Sequence, residues 1–234
     1  MTSNLKIIGT SHIAKQSMQE VEKAIEKDKP GIIALELDHK RYYSLQQKNR
    51  KINFYSIFRV GVKGFLFALI GAWAEKKLGK FVGVSPGSEM LRAIKIAKKN
   101  KIKLAFIDQD IEITLRRISK YFTWKERFNF IADIFKGIFN RKKEMEELGI
   151  QNLDLTKVPA EEIIEKMINK VRKRYPNLYR VLISERNSVM AKNLKYLTEK
   201  YPDKKIIAIM GAGHEKGVKE ILENQINYKF TFSG

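Results

Sequence analysis

Two of the three histidines in this 234-residue chain stand in the same setting. The stretches LKIIGTSHIAK (residues 5 to 15) and KKIIAIMGAGHEKG (204 to 217) each run a short Ile-rich segment into Gly-x-x-His and then into helix-like sequence. His12 and His214 therefore each follow a predicted strand, after turns led by Gly9 and Gly211. Glycine in such a place permits a tight turn with positive φ and lets a ligand approach the backbone. A histidine there is either a hydrogen-bonded structural residue or part of a ligand site. The carboxylates bear on that choice. Glu36 lies near the end of GIIALEL (31 to 37) and is followed by Asp38 and His39, while Asp108 closes IKLAFI (102 to 107). Ligands of open α/β sheets bind beyond the carboxyl ends of the strands, so two imidazoles and several carboxylates converge on one edge. Glu36 is the most telling of them, because an acid inside an aliphatic strand is costly to bury unpaired.

A basic partner is legible further on. In LISERNSVMAKNLKYL (182 to 197), Leu182, Arg186, Met190 and Leu194 or Leu197 share a helical face. A guanidinium within that apolar stripe requires a carboxylate or a bound anion. An internal Arg–Glu or Arg–Asp pair and an anion or oxyanion clamp both satisfy it. Glu185 points either toward the same region or into solvent. Glu89, in GVSPGSEM (83 to 90), falls in the first turn of a helix, where the helix dipole accounts for it. Ser11 adjoins His12 in sequence, a poor geometry for an activated serine. The chain has no cysteine, which excludes thiolate zinc sites and cysteine nucleophiles. It also has no P-loop, GxGxxG, HExxH or GxSxG.

The elements that position these residues are strands alternating with helices. LKIIG, GIIALEL, IKLAFI and KIIAIM are aliphatic runs without strict alternation, as expected of strands covered on both faces. Residues 17 to 27 set Met18, Val21 and Ile25 on one helical face, and residues 89 to 98 do so with Met90, Ala93, Ile94 and Ala97. The fold class that follows is α/β, with a central, mainly parallel sheet covered by helices. The whole chain, 1 to 234, reads as one domain with a helical insertion at approximately 110 to 200. Within the insertion, Phe128, Ile131, Phe135 and Ile138 or Phe139 line one helical face, as core or as a lid. The tail INYKFTF (226 to 232) alternates apolar and polar residues and reads as an edge strand, antiparallel if present.

The net charge is +20, and residues 39 to 80 contribute ten Lys or Arg against the single acid Glu75. Within that stretch, GFLFALIGAWA (64 to 74) is too short to span a bilayer, which needs roughly 20 residues. With its flanking basic residues it suits either a helix lying on anionic lipid or a buried helix with solvated ends. The charge permits non-specific phosphate contacts, but no nucleic-acid recognition motif accompanies it, so nucleic acid is an unlikely partner. A strand-like run begins within five residues of the start, so the expected location is cytoplasmic. The Lys- and Glu-rich surface also fits heat adaptation.

GTSH, LELDHKR, SPGSEMLRAI, IDQDIEITLRR, SERNSVMAKNL and MGAGH, in this order, closely resemble the TraB/PrgY family, which is related to Tiki and GumN-like proteins and more distantly to erythromycin-esterase-like and ChaN-like domains. The likeness runs from about residue 5 to residue 222. The family pattern falls on Gly9 with His12, Gly211 with His214, Glu36 and Arg186. It implies a metal-dependent, peptidase-like hydrolase in which His12, Glu36 and His214 hold a divalent ion (Mn, Co, Zn or Fe are not distinguished). Arg186 would stabilise an oxyanion, and Asp108 or Glu185 would orient a ligand histidine. Ser11, Glu89 and Arg116 are supporting residues in the matching segments. TraB/PrgY members are associated with shutting down peptide pheromones by degradation or sequestration. The competing expectation is therefore a non-catalytic protein that binds a peptide or small molecule in the same pocket, roofed by residues 122 to 139. The family commonly has an acid after the Glu–Arg pair; here Asn187 stands there, and no role is carried to it. Many members bear a membrane-spanning C-terminal region, so this chain is expected to be soluble, peripheral at an anionic membrane through residues 55 to 80, or the soluble part of an anchored protein. Homo-oligomerisation is a further expectation.

Overall fold

The computed structural model describes residues 4–10, 15–46, 87–139 and 161–227. Four strands run parallel: β1 (Leu5–Thr10), β2 (Ile32–Leu35), β3 (Lys103–Phe106) and β4 (Ile206–Gly211). Their order across the sheet is β1-β4-β2-β3, so β4 lies between the first two strands and pairs with both. Leu35 stands opposite Ile209, and Thr10 opposite Gly211. β1 and β4 therefore end level, β2 and β3 end two residues earlier, and all carboxyl ends open on one edge.

Four helices cover the two faces: α1 (Lys15–Asp28), α3 (Ser88–Lys99), α8 (Glu185–Lys200) and α9 (Ala212–Asn227). Strand side chains alternate between those faces. On one, Ile206, Ala208 and Met210 meet Met190, Ala191 and Leu194 of α8 and Val218 and Leu222 of α9. On the other, Ile207 and Ile209 meet Val21 and Ile25 of α1 and Met90, Ala93, Ile94 and Ala97 of α3. Every side chain of β2 and β4 is consequently buried. That double covering is why the strands read as unbroken aliphatic runs.

The remaining helices are α2 (His39–Gln46), α4 (Ile111–Tyr121), α5 (Trp124–Phe139), α6 (Glu161–Arg174) and the short α7 (Pro176–Tyr179), which continues through a π turn (Arg180–Ser184) into α8. A satellite cluster of Ile118, Phe122, Leu178 and Val181 joins α4 to α7, with Phe130 of α5 packed against it. Of the face expected on α5, only the Phe128 side chain is described. Phe128 is 67% exposed, whereas Phe130 sits edge-on to Phe122 and Tyr175. The side chains of Ile131, Phe135, Ile138 and Phe139 lie outside the described residues. At the far end, α9 runs through Asn227, so the strand expected from residue 226 does not begin there, and residues 228 to 232 lie outside the described residues. No described helix is long and apolar enough to cross a membrane.

One carboxylate organises the satellite cluster. Glu126 forms a capping box with Thr123: the Thr123 N–H donates to Oε2 at 3.0 Å, and the Glu126 N–H donates back to Thr123 Oγ1 at 3.3 Å. Its Oε1 also accepts the N–H of Asn177 at 2.7 Å, so it caps α7 as well as α5. Burial alone would raise its pKa, yet the donors from Thr123 and Asn177 outweigh burial and hold it below its ordinary value. Because the folded value is depressed, its stabilising contribution is complete above the ordinary value of 4.5 and fades as pH falls below that. Glu126→Ala should cost about 1 to 3 kcal/mol at neutral pH. Urea unfolding of parent and variant should show a constant difference between about pH 7 and 5 that shrinks below the ordinary glutamate value.

Candidate active site at the carboxyl edge of the sheet

Glu36 is the first residue after β2 and is 2% exposed. Its backbone N–H still pairs with Ile209 O at 3.0 Å, so the side chain leaves from the sheet's own frame. Oε2 accepts the N–H of Gly211 at 2.5 Å, and Oε1 accepts Nη2 of Arg186. Arg186 reaches this position from the first turn of α8. Its Nε and Nη2 grip Asp108 in a fork at 3.0 and 2.7 Å, and its Nη1 donates to Leu182 O at 3.2 Å. Leu182 belongs to the π turn, where the Glu185 N–H bonds five residues back to Arg180 O. Wide turns of this kind recur at functional sites. Arg41 completes the group, donating from Nη1 to Asp108 Oδ2 at 2.8 Å. Two carboxylates thus face two guanidiniums, and the buried charge is balanced. Burial on its own would lower the Arg186 pKa, but Glu36 first and then Asp108 drive it well above the ordinary arginine value. Arg186 is therefore engaged as an internal pair through all three nitrogens, the first of the two alternatives its sequence position left open.

His214 is the third residue of α9 and is 5% exposed. Its Nδ1 lies 2.6 Å from Asn187 Oδ1, and its Nε2 lies 3.5 Å from Glu36 Oε1. β4 passes into α9 without an intervening loop residue, so the glycines of this site do not serve the positive-φ turn expected of them. Among the described glycines only Gly87 has positive φ. Gly9 is needed for space instead: a Cβ there would stand 2.0 Å from Glu215 Oε2 and 3.2 Å from Ala212 Cα. Gly211 contributes its N–H to Glu36.

Ser11 and His12 lie outside the described residues, and so does the stretch 55 to 80. The structure brings Glu36, Asp108, Arg186 and His214 together. Glu185 instead forms a fork with Arg117 at 2.5 and 2.7 Å. For His214, neither Asp108 nor Glu185 supplies the orienting contact; Asn187 does. Arg116 is not drawn in: it is exposed on α4 and donates to Glu112 O at 3.4 Å. Glu89 is buried in the first turn of α3. Asp38 caps α2 through the N–H groups of Lys40 and Arg41 at 2.7 and 3.0 Å, and His39 meets the ring edge of Phe106. Sequence reasoning missed Arg41 and Asn187. The available signal for Asn187 was a poor helix former placed one residue after a buried arginine.

Among the described residues no group of three His, Asp or Glu side chains is placed to hold a metal ion. Two of the implied ligands nevertheless fit. Around a tetrahedral ion with bonds near 2.1 Å, neighbouring ligand atoms lie about 3.4 Å apart. His214 Nε2 and Glu36 Oε1 stand at 3.5 Å. A cleft of about 560 Å³ opens beside them between α6 and α9; Gly9, Asn187 and Gly213 reach it, whereas Glu36, Asp108, Arg186 and His214 do not line it. Among the described residues, none of 122 to 139 lines it.

Comparison with known proteins covers nearly the whole chain. An uncharacterized protein of Methanocaldococcus jannaschii is 37% identical over 228 residues, covering 96% of this chain and 54% of the relative. TraB domain-containing proteins of Bos taurus and Homo sapiens are 21% and 20% identical, each covering 96% of this chain and 64% of the relative. The chain thus spans between half and two thirds of the length of these relatives. The model of the TraB/PrgY/gumN family matches residues 2–231, and the chain belongs to that family.

Proposed function

We propose that the carboxyl edge of the sheet is the centre of a metal-dependent hydrolase acting on peptides. The observation that carries the reading is the opposition of His214 Nε2 and Glu36 Oε1, two atoms able to bind a metal, at ligand spacing. Glu36, His214 and His12 would hold the ion, whose identity among Mn, Co, Zn and Fe is open. When bound, it would lower the pKa of a water and polarise the scissile carbonyl. The chain's own residues do the rest. Gly211 N–H and Arg186 fix the Glu36 carboxylate, Asp108 holds Arg186 in place, and the packed helices keep bulk water from the group. Arg186 also lends positive charge near the site, where an oxyanion would develop.

A second reading, a non-catalytic binder of a peptide or small ligand, draws support from the same guanidinium. Each Arg186 nitrogen is already engaged by protein acceptors, which suits a structural clasp. The basic composition of residues 39 to 80 supports peripheral attachment to anionic lipid under either reading.

Gently purified protein should carry a stoichiometric divalent metal by elemental analysis, and His214→Ala should lose it together with peptide cleavage followed by mass spectrometry. Absence of both metal and cleavage products in the parent would leave the binder. Arg186→Met should cost about 3 to 5 kcal/mol in chemical unfolding, because it removes the cation from Glu36 and leaves Asp108 only Arg41. A loss below about 1 kcal/mol, the range of surface pairs, would show that the clasp is not structural. In liposome sedimentation, binding should rise with the fraction of anionic lipid and fall with salt; indifference to both would remove the membrane from the account.

A further inference from the structure

We propose that Asn187 is the positioning residue of His214, and that Gly217 exists to hold the Asn187 carboxamide in register. Asn187 projects from α8 and His214 from α9, two helices packed side by side on one face of the sheet. The Nδ1–Oδ1 distance of 2.6 Å is that of a strong hydrogen bond, and an amide oxygen can only accept. The proton therefore belongs on Nδ1, which leaves Nε2 as the acceptor directed at the Glu36 side. The reverse assignment fails on the other nitrogen. With the amide turned over, Nε2 would carry the hydrogen toward a carboxylate, and such contacts ordinarily close to about 2.7 to 2.9 Å. The observed 3.5 Å is too long for that. Solvent does not stabilise either tautomer here, since His214 and Asn187 are each 5% exposed.

The orientation of the carboxamide has its own cause. A Cβ at position 217 would lie 2.3 Å from Asn187 Nδ2 and 3.3 Å from its Cγ. Only a glycine on this turn of α9 leaves room for the amide nitrogen, and a glycine inside a helix costs about 1 kcal/mol against alanine. Space for Asn187 is the return for that cost. The contact is one helical turn from His214, so the same pair of helices clamps the amide at Gly217 and reads it out at the imidazole. A neutral orienting group also differs from a carboxylate in a specific way: it selects the tautomer without adding a third negative charge beside Glu36 and Asp108.

This inference deepens the hydrolase reading, which needs Nε2 as a ligand atom, but its test does not require activity. In protein labelled with 15N histidine, at about pH 8 and after metal chelation, long-range proton–nitrogen correlations distinguish a pyrrole-type Nδ1 from a pyridine-type Nδ1 for each of the three rings. His214 is assigned by the signal lost in His214→Gln. The parent should show His214 protonated on Nδ1. Asn187→Asp, which keeps an acceptor, should retain that state, whereas Asn187→Leu should shift the ring to the Nε2–H form. Gly217→Ala should shift it in the same direction without touching either partner chemically, and covers the case in which Asn187→Leu fails to fold. In the same variants, zinc affinity by calorimetry should fall 10- to 100-fold for Leu and Ala and be restored in Asp. An Nε2–H or doubly protonated ring in the parent, or an unchanged ring in a folded Asn187→Leu or Gly217→Ala, overturns the proposal. A correct tautomer with no zinc binding leaves the lock standing and removes the metal reading instead.

Discussion

A carboxylate at the end of an aliphatic strand, between two helical layers, has to be neutralised where it stands. Leaving Glu36 unpaired in that position would cost several kcal/mol, because it is almost wholly shielded from solvent. The structure meets this with one backbone N–H and one guanidinium, and most of the local architecture follows. Arg186 must sit in the first turn of α8, so that helix must begin beside the sheet edge. Its second carboxylate, Asp108, must close β3 at the same level. Arg41 then balances Asp108, and Asp38 fixes the helix that carries Arg41. The pairing therefore extends from the β4 end at Gly211 to α2 beyond β2. It is worth more as a constraint on position than as net stability, since a buried ion pair gains little over well-packed apolar residues.

The parts of this scheme set by pattern were legible in the sequence. Uninterrupted aliphatic runs marked the strands, because a sheet covered on both faces leaves no polar side to write into the sequence. Met90, Ala93, Ile94 and Ala97 were readable as a buried face since helical periodicity alone determines it. Glu36 and Arg186 announced themselves as charges in apolar settings. Other parts depended on distance in three dimensions and had no local signature. Strand order was one of these: nothing near residue 206 says that β4 inserts between β1 and β2. The role of glycine was another. The turn chemistry expected of Gly9 and Gly211 was reasonable, but what fixes Gly9 is the approach of Glu215 and Ala212 from the far end of the chain. Phe128 and Phe130 show the same limit, since residues two positions apart lie on nearly opposite sides of a helix and the sequence did not say which side faces the core.

Family membership and site geometry carry different weight. The first rests on a match over nearly the whole chain. The second rests on a handful of atoms whose chemistry is set by hydrogen-bond direction. Glu36 and Arg186 both hold the fold and form the candidate site, so substitutions there change stability and site together.

The central placement of β4 has a consequence for how the molecule comes into being. β1 and β2 share no hydrogen bonds, and the strand that joins them is the last of the four to be made. A nascent chain released up to about residue 200 holds only the β2–β3 pair, with an isolated edge and a half-covered surface open to solvent. Only the final segment, threading between strands made far earlier, completes the sheet and delivers Gly211 to Glu36. Closure across so long a separation is slow on topological grounds, and until it happens the β2–β3 pair keeps an unpaired strand edge.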